Sequence, residues 1–209
     1  MVFSMRFALS LLLFGSVASA DCPTASDLAD GIRVRWSGGL VTTIRATDDP
    51  VIMSVRSDWG DGGHLVERVA WGLYAVEDIE IEGSDFDFLT HTEYGIDPTH
   101  LPRPTAGTEV RFAEVYHGYH WPTWTREVYA MGQPGSVTLA GCVYRSFEVS
   151  LVRADILLDS VPAEDPRRMP RIVQGWAYIT DLGFALEAWR GPPENRYPAS
   201  GVIAIEAVR

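Results

Sequence analysis

The chain has 209 residues, of which 17 are basic and 28 acidic, and its net charge at pH 7 is −11. So acidic a surface repels nucleic acid, and no basic cluster with interleaved aromatics offsets it. Every basic residue is arginine; without lysine, Schiff-base catalysis, a Walker-A phosphate loop, the kinase strand lysine and an S-x-x-K nucleophile are all excluded.

At the N-terminus Arg6 precedes the apolar run Phe7 to Phe14, and the small triplet Ala18-Ser19-Ala20 follows. That order predicts a secretory signal peptide over residues 1–20 with an A-x-A cleavage site, Met5 being an alternative start. Gly15, Ser16 and Ser19 interrupt the run before the roughly twenty apolar residues a spanning helix needs, and no later stretch supplies them. Cys22 lies just past the site, but Asp21 stands where a lipobox requires a small residue. The expectation is a secreted chain, periplasmic or extracellular, with no transmembrane segment after cleavage and with residues 21–209 as a single β-rich domain.

Cys22 and Cys142 are the two cysteines. In an oxidising compartment they predict one disulfide, with two buried thiols as the alternative. Their spacing excludes a C-x-x-C redox site and a thiolate zinc cluster. A bridge closing so long a loop is worth roughly 4 to 5 kcal/mol in the chain-entropy view, and it would pin the N-terminus to the strand around Cys142.

In PTASDLADG, Thr24 as N-cap, Asp27 three residues on and Gly31 past the end predict a helix of one or two turns. The period then changes to two. Ile32, Val34 and Trp36 alternate with Arg33 and Arg35, the pattern of a half-buried strand. LVTTIRAT, PVIMSVRSD, HLVERVAW, TEVRFAEVY, WTREVYAM, SVTLAGCVYRSFEVSLV, RIVQGWAYI, FALEAWR and GVIAIEAVR have the same texture, with turn formers such as Ser37-Gly38-Gly39 and Asp181-Leu182-Gly183 between them. About ten such strands predict a mainly all-β fold, an antiparallel meander curled into a barrel, half-barrel or sandwich. Two Pro-broken stretches, Ser84 to Thr108 and Ser160 to Arg171, are read as long connections. An outer-membrane barrel would need an unbroken apolar band facing lipid, which Arg45, Glu67, Arg68 and Glu206 interrupt on one face or the other.

CPTASDLADGIRV after the leader, GCVY late in the chain and YITDLGFALEAWR near its end resemble uncharacterised secreted proteins of Gram-negative bacteria, a likeness that implies no activity. The alternating strands with a D-L-G turn also resemble the curved half-barrels of periplasmic lipoprotein carriers. That second likeness concerns the fold.

Three constellations could carry chemistry. YHGYHWPTW, residues Tyr116 to Trp124, lies between two strand-like segments, and Gly118 with Pro122 makes it the tip of a hairpin. His117 and His120 could bind a metal there if His91 and His100 on the long connection came near; otherwise they are rings decorating a turn. Trp59, Tyr116, Tyr119, Trp121 and Trp124 are aromatics at loop tips, suited to stacking on a sugar or an apolar ligand unless they form a satellite core. The acids from Glu77 to Asp87, with Asp58 and Asp61, could pair across a cleft for glycoside hydrolysis, although a solvated face explains them as well.

No G-x-S-x-G elbow and no G-x-G-x-x-G after a strand is present. The reading that results is a non-catalytic binding module for an apolar or amphipathic ligand, with no catalytic residues and no cofactor. The alternatives are a carbohydrate-active or metal-dependent enzyme using loops 84–108 and 116–124, and a structural partner in envelope assembly. Oligomeric state is left open.

Overall fold

The computed structural model describes residues 21–60, 62–82, 86–118, 123–156, 172–191, 197–198 and 201–209. Among them the strands are β1 (Ile32–Trp36), β2 (Val41–Ala46), β3 (Ile52–Asp58), β4 (His64–Ala70), β5 (Tyr74–Glu82), β6 (Phe86–Glu93), β7 (Glu109–Gly118), β8 (Thr123–Met131), β9 (Gly135–Leu139), β10 (Cys142–Asp155), β11 (Ile172–Ile179), β12 (Phe184–Arg190), β13 (Tyr197–Pro198) and β14 (Val202–Ala207). They form one antiparallel sheet in the order β13-β12-β11-β10-β8-β7-β6-β5-β4-β3-β2-β1-β14, with β9 paired to β10 off that path. The fold is all-β, and the sheet is not closed.

The order of the strands dictates the curl. β13 and β14 are the two edges of the sheet, yet only residues 199–201 separate them in sequence. A chain that short spans at most about 14 Å, so the sheet must bend until its edges approach each other. Alternation does the rest, because period-two apolar residues from successive strands such as β1, β2, β8 and β10 then face a shared interior.

Two clusters fill much of that interior. One gathers Tyr74, Tyr94, Phe112, Tyr129, Leu151 and Tyr178 with their neighbours, and Tyr74 lies edge-on to Tyr94, Phe112 and Tyr129 at 5.0 to 6.0 Å. The other sets Ile32, Val34 and Ile44 against Tyr144, Ile179, Phe184 and Leu186 across the curl. One end of the interior is stopped by two turns in contact. The β4–β5 turn brings Trp71 and Gly72 against the β11–β12 turn, where the Ala185 N–H donates to the Gly72 carbonyl at 2.8 Å. Tyr178 Oη donates to the carbonyls of Trp71 and Gly183 at 3.2 and 3.3 Å. Gly72 has φ +63°, and a Cβ there would sit 2.5 Å from the Gly183 carbonyl oxygen, so only glycine allows the approach.

Cys22 and Cys142 are joined, with 5.7 Å between their Cα atoms. Tyr144 Oη reinforces this anchorage by donating to the Pro23 carbonyl at 3.2 Å. The expected N-terminal helix is a 3₁₀ turn, Ala25–Ala29. Thr24 and Asp27 cap it as expected, the Thr24 N–H donating to the Asp27 carboxylate at 2.8 Å. Five residues are too few to repay the nucleation of an α-helix, which leaves the tighter form.

The long connection read over Ser84 to Thr108 needs a larger correction, since β6 occupies Phe86–Glu93. The acids of Glu77 to Glu82 likewise lie on a strand, β5, that pairs with both β4 and β6. Charge at alternate positions imitates a solvated segment in sequence. In the sheet these acids lie on a paired strand. Among the described residues no helix is long and apolar enough to cross a membrane, which says nothing about crossing by strands.

Candidate functional site

Inside the curl is a cavity of about 410 Å³. Register aligns its walls. Met131, Tyr129 and Glu127 of β8 stand opposite Val149, Leu151 and Arg153 of β10, and Trp176 and Gln174 of β11 stand opposite Val149 and Leu151. On β4 the corresponding step runs from Val69 to Glu67. Each strand therefore passes from apolar to polar side chains in the direction leading away from the Gly72 turn. The lining is apolar over Ile44, Val55, Val69 and Leu186, polar over Glu67, Arg153, Gln174 and Glu187, and carries the indoles of Trp36, Trp59 and Trp176.

The polar side contains a buried network centred on Glu127, which has no exposed surface. Arg153 Nε donates to Glu127 Oε1 at 2.5 Å and His117 Nε2 lies 3.1 Å from the same oxygen. Tyr129 Oη donates to Oε2 at 3.0 Å, which leaves Tyr94 Oη, 3.2 Å away, to donate to Tyr129. With the imidazole proton on Nε2, Nδ1 accepts from Thr92 Oγ1 at 3.3 Å. Burial acts to raise the Glu127 carboxyl, but the His117 hydrogen bond and the Arg153 charge outweigh it, and the group ionises below the ordinary carboxylate range. Burial pushes the phenols of Tyr94 and Tyr129 well up, so both are neutral donors.

Thr92, His117 and Glu127 form a hydroxyl–imidazole–carboxylate line, but the same Glu127 oxygen that meets His117 also takes the Arg153 guanidinium. The network instead fixes Arg153 in the cavity wall.

Glu67 is in the opposite situation. Its carboxyl is pushed up to about 7 by burial and by the negative charges of Asp78 and Glu187. No hydrogen bond or ion pair reaches it from the described residues. Asp78 stands opposite it in register on β5. Burial raises Asp78 too, against the pull of His117 and Arg153, and its Oδ1 is buried without a hydrogen-bond partner among the described residues. Glu187 is held by Arg190, whose Nε meets Oε1 and whose Nη2 lies 2.8 Å from Oε2.

The residues singled out in the sequence are dispersed. His91 stands opposite Gly118 and Thr92 opposite His117, so His91 points outward and His117 inward. On the outer face His91 lies 5.5 Å from Tyr116, and Tyr116 lies 5.0 Å from Trp124. His91 Nε2 is 3.4 Å from Glu93. These rings form a patch behind the cavity wall, with Trp124 44 % exposed. His100 ends the short turn Pro98–His100. Among the described residues no three His, Cys, Asp or Glu side chains are grouped to hold a metal. Trp59, 37 % exposed, stands at the cavity rim. Tyr119, His120 and Trp121 lie outside the described residues, as do Asp61 and Asp85.

Sequence reasoning placed Asp78 only within the acidic run Glu77 to Asp87, named Glu67 only as a charge that interrupts an apolar face, and passed over Glu127, Arg153, Gln174 and Glu187. Glu67 had a legible signal. In HLVERVA it shares a face with Leu65 and Val69, an acid on the apolar side of a strand. Glu127 had none, because Thr-Glu-Tyr-Met and Trp-Arg-Val-Ala are equally plausible inner faces for β8.

Comparisons with family models, with curated proteins and with solved structures each give no match to this chain.

Proposed function

We propose that the protein is an exported, non-catalytic binding module that holds an amphipathic ligand inside its curled sheet. The observation that carries this reading is the cavity itself, about 410 Å³ in volume, apolar towards the Gly72 turn and polar towards the other end. That volume falls in the range of small-molecule sites, which combine apolar walls with a few placed polar groups. Export is supported by the Cys22–Cys142 bridge, which suits an oxidising compartment, and by the leader-like order of residues 1–20.

At the β1–β14 pair the outer face is charged. Arg33 and Arg35 of β1 face outward beside Glu206 of β14, at 3.7 and 3.1 Å from its carboxylate, with all three side chains at least 39 % exposed. The likeness to lipoprotein-carrier half-barrels belongs to the same reading, as a curled antiparallel sheet around an apolar hollow.

Thermal denaturation in the presence of single-chain lipids, alcohols and sugar-headed amphiphiles tests this function. A ligand that binds only the folded chain raises the melting temperature with its concentration. A panel that leaves the temperature unmoved contradicts the reading.

A further inference from the structure

We infer that the polar side of the cavity is a subsite for a cationic head group, so that the preferred ligand is an alkylammonium-type amphiphile. This rests on the binding reading above and adds the head-group chemistry to it.

Charge placement is the first support. Glu67 and Glu187 line the cavity, and Asp78 lies beside Glu67 across the β4–β5 pair. Among the described residues the cations that line the same cavity, Arg153 and Arg190, are already paired. Arg153 is bound to the buried Glu127, and Arg190 is clasped by Glu187. On the outer side of the sheet, Arg68 pairs with Glu77 at 3.3 Å. Among the described residues no cation lining the cavity is left to pair with Glu67, and an ammonium group entering from the mouth would supply that countercharge.

The walls are the second support, and they are independent of the acids. Trp36, Trp59 and Trp176 contribute indole surface to the same cavity. Trp36 is fixed by its Nε1–H, which donates to Thr42 Oγ1 at 3.1 Å. Indole faces attract cations through their quadrupole and also accept methylene chains, so they suit both halves of such a ligand. A carboxylate head would meet Glu67 as a like charge, with Arg153 and Arg190 already paired to Glu127 and Glu187. A neutral head would leave the field at Glu67 unanswered.

Three probes with the same tail separate the possibilities: n-decylammonium, 1-decanol and decanoate, titrated calorimetrically at pH 8 into the full secreted chain and its Glu67→Gln variant. The expected result is one-to-one binding with decylammonium at least about tenfold tighter than decanol and decanoate weakest. In Glu67→Gln the ammonium should fall to within about twofold of decanol, whose own affinity is unchanged. Equal affinity of the alcohol and the ammonium in the wild type overturns the inference, as does tightest binding of decanoate. Retention of the ammonium preference by Glu67→Gln overturns it too. If none of the three binds, the binding function fails and the head-group inference falls with it.

Discussion

Replacing Glu67 by Gln should stabilise the protein, by an amount that grows as pH rises from about 4.5 to about 7. In the unfolded chain the group ionises around its ordinary value of 4.5, whereas in the fold burial and the charges of Asp78 and Glu187 push it up to about 7. Between those values the folded state holds the extra proton, so the group's contribution to stability falls as pH rises and the full penalty is present above about 7. At about 1.36 kcal/mol for each pH unit between the two values, the penalty is a little over 3 kcal/mol, and partial access of solvent to the cavity reduces it to roughly 2. Glutamine resembles the protonated acid in shape and cannot ionise. At pH 8 the variant should therefore melt about 4 to 8 °C above wild type, while at pH 4.5 the two should melt together. Differential scanning calorimetry across that pH range measures the difference directly. A variant less stable than wild type at pH 8, or a difference that does not change with pH, would refute the placement of Glu67 in an acidic, poorly solvated field.

Glu127 should behave in the opposite sense, because its carboxyl is held below the ordinary range and its contribution to stability is present above pH 4.5 and lost on acidification. Arg153→Met leaves that carboxylate buried without its cation and should cost about 3 to 5 kcal/mol in urea denaturation at pH 7, with partial recovery in the double variant Arg153→Met/Glu127→Gln. Reduction of Cys22–Cys142, whose partners are 120 residues apart, should lower stability by roughly 4 to 5 kcal/mol; equal melting with and without reductant would mean that the bridge does not constrain the unfolded chain. Gly72→Ala forces a Cβ against the Gly183 carbonyl at a positive φ and should cost at least about 1 to 3 kcal/mol by equilibrium unfolding, whereas Gly39→Ala, also at positive φ but with open space around it, should cost less.

How far the structure can be read from the sequence differs from strand to strand. β1 is legible because Ile32, Val34 and Trp36 are apolar while Arg33 and Arg35 are charged, so alternation and facing coincide. β5 and β6 are not, because Glu77 to Asp87 place acids where an exposed segment would have them, and only pairing with β4 and β7 reveals strands. The bridge follows from a two-cysteine count, but the curl follows from the meeting of β13 and β14 at opposite edges, a long-range fact that no local pattern carries. The candidate site suffers most. Glu127 and Arg153 are neighbours only through the register of β8 with β10, and Glu67 meets Glu187 only because the sheet bends. The aromatics at Tyr116 and Trp124 drew attention through density, yet their faces are set by the register of β7 with β6 and with β8, which turns them outward.

The measurement closest to the central claim is calorimetric titration of 1-decanol into the wild-type chain and into Ala75→Phe, whose added ring would occupy the cavity that Ala75 lines. A ligand held inside the sheet requires one-to-one binding by the wild type and none by the variant, with both chains folded by circular dichroism. Absence of binding to the wild type, or equal binding to a folded Ala75→Phe, would contradict a ligand site within the curl.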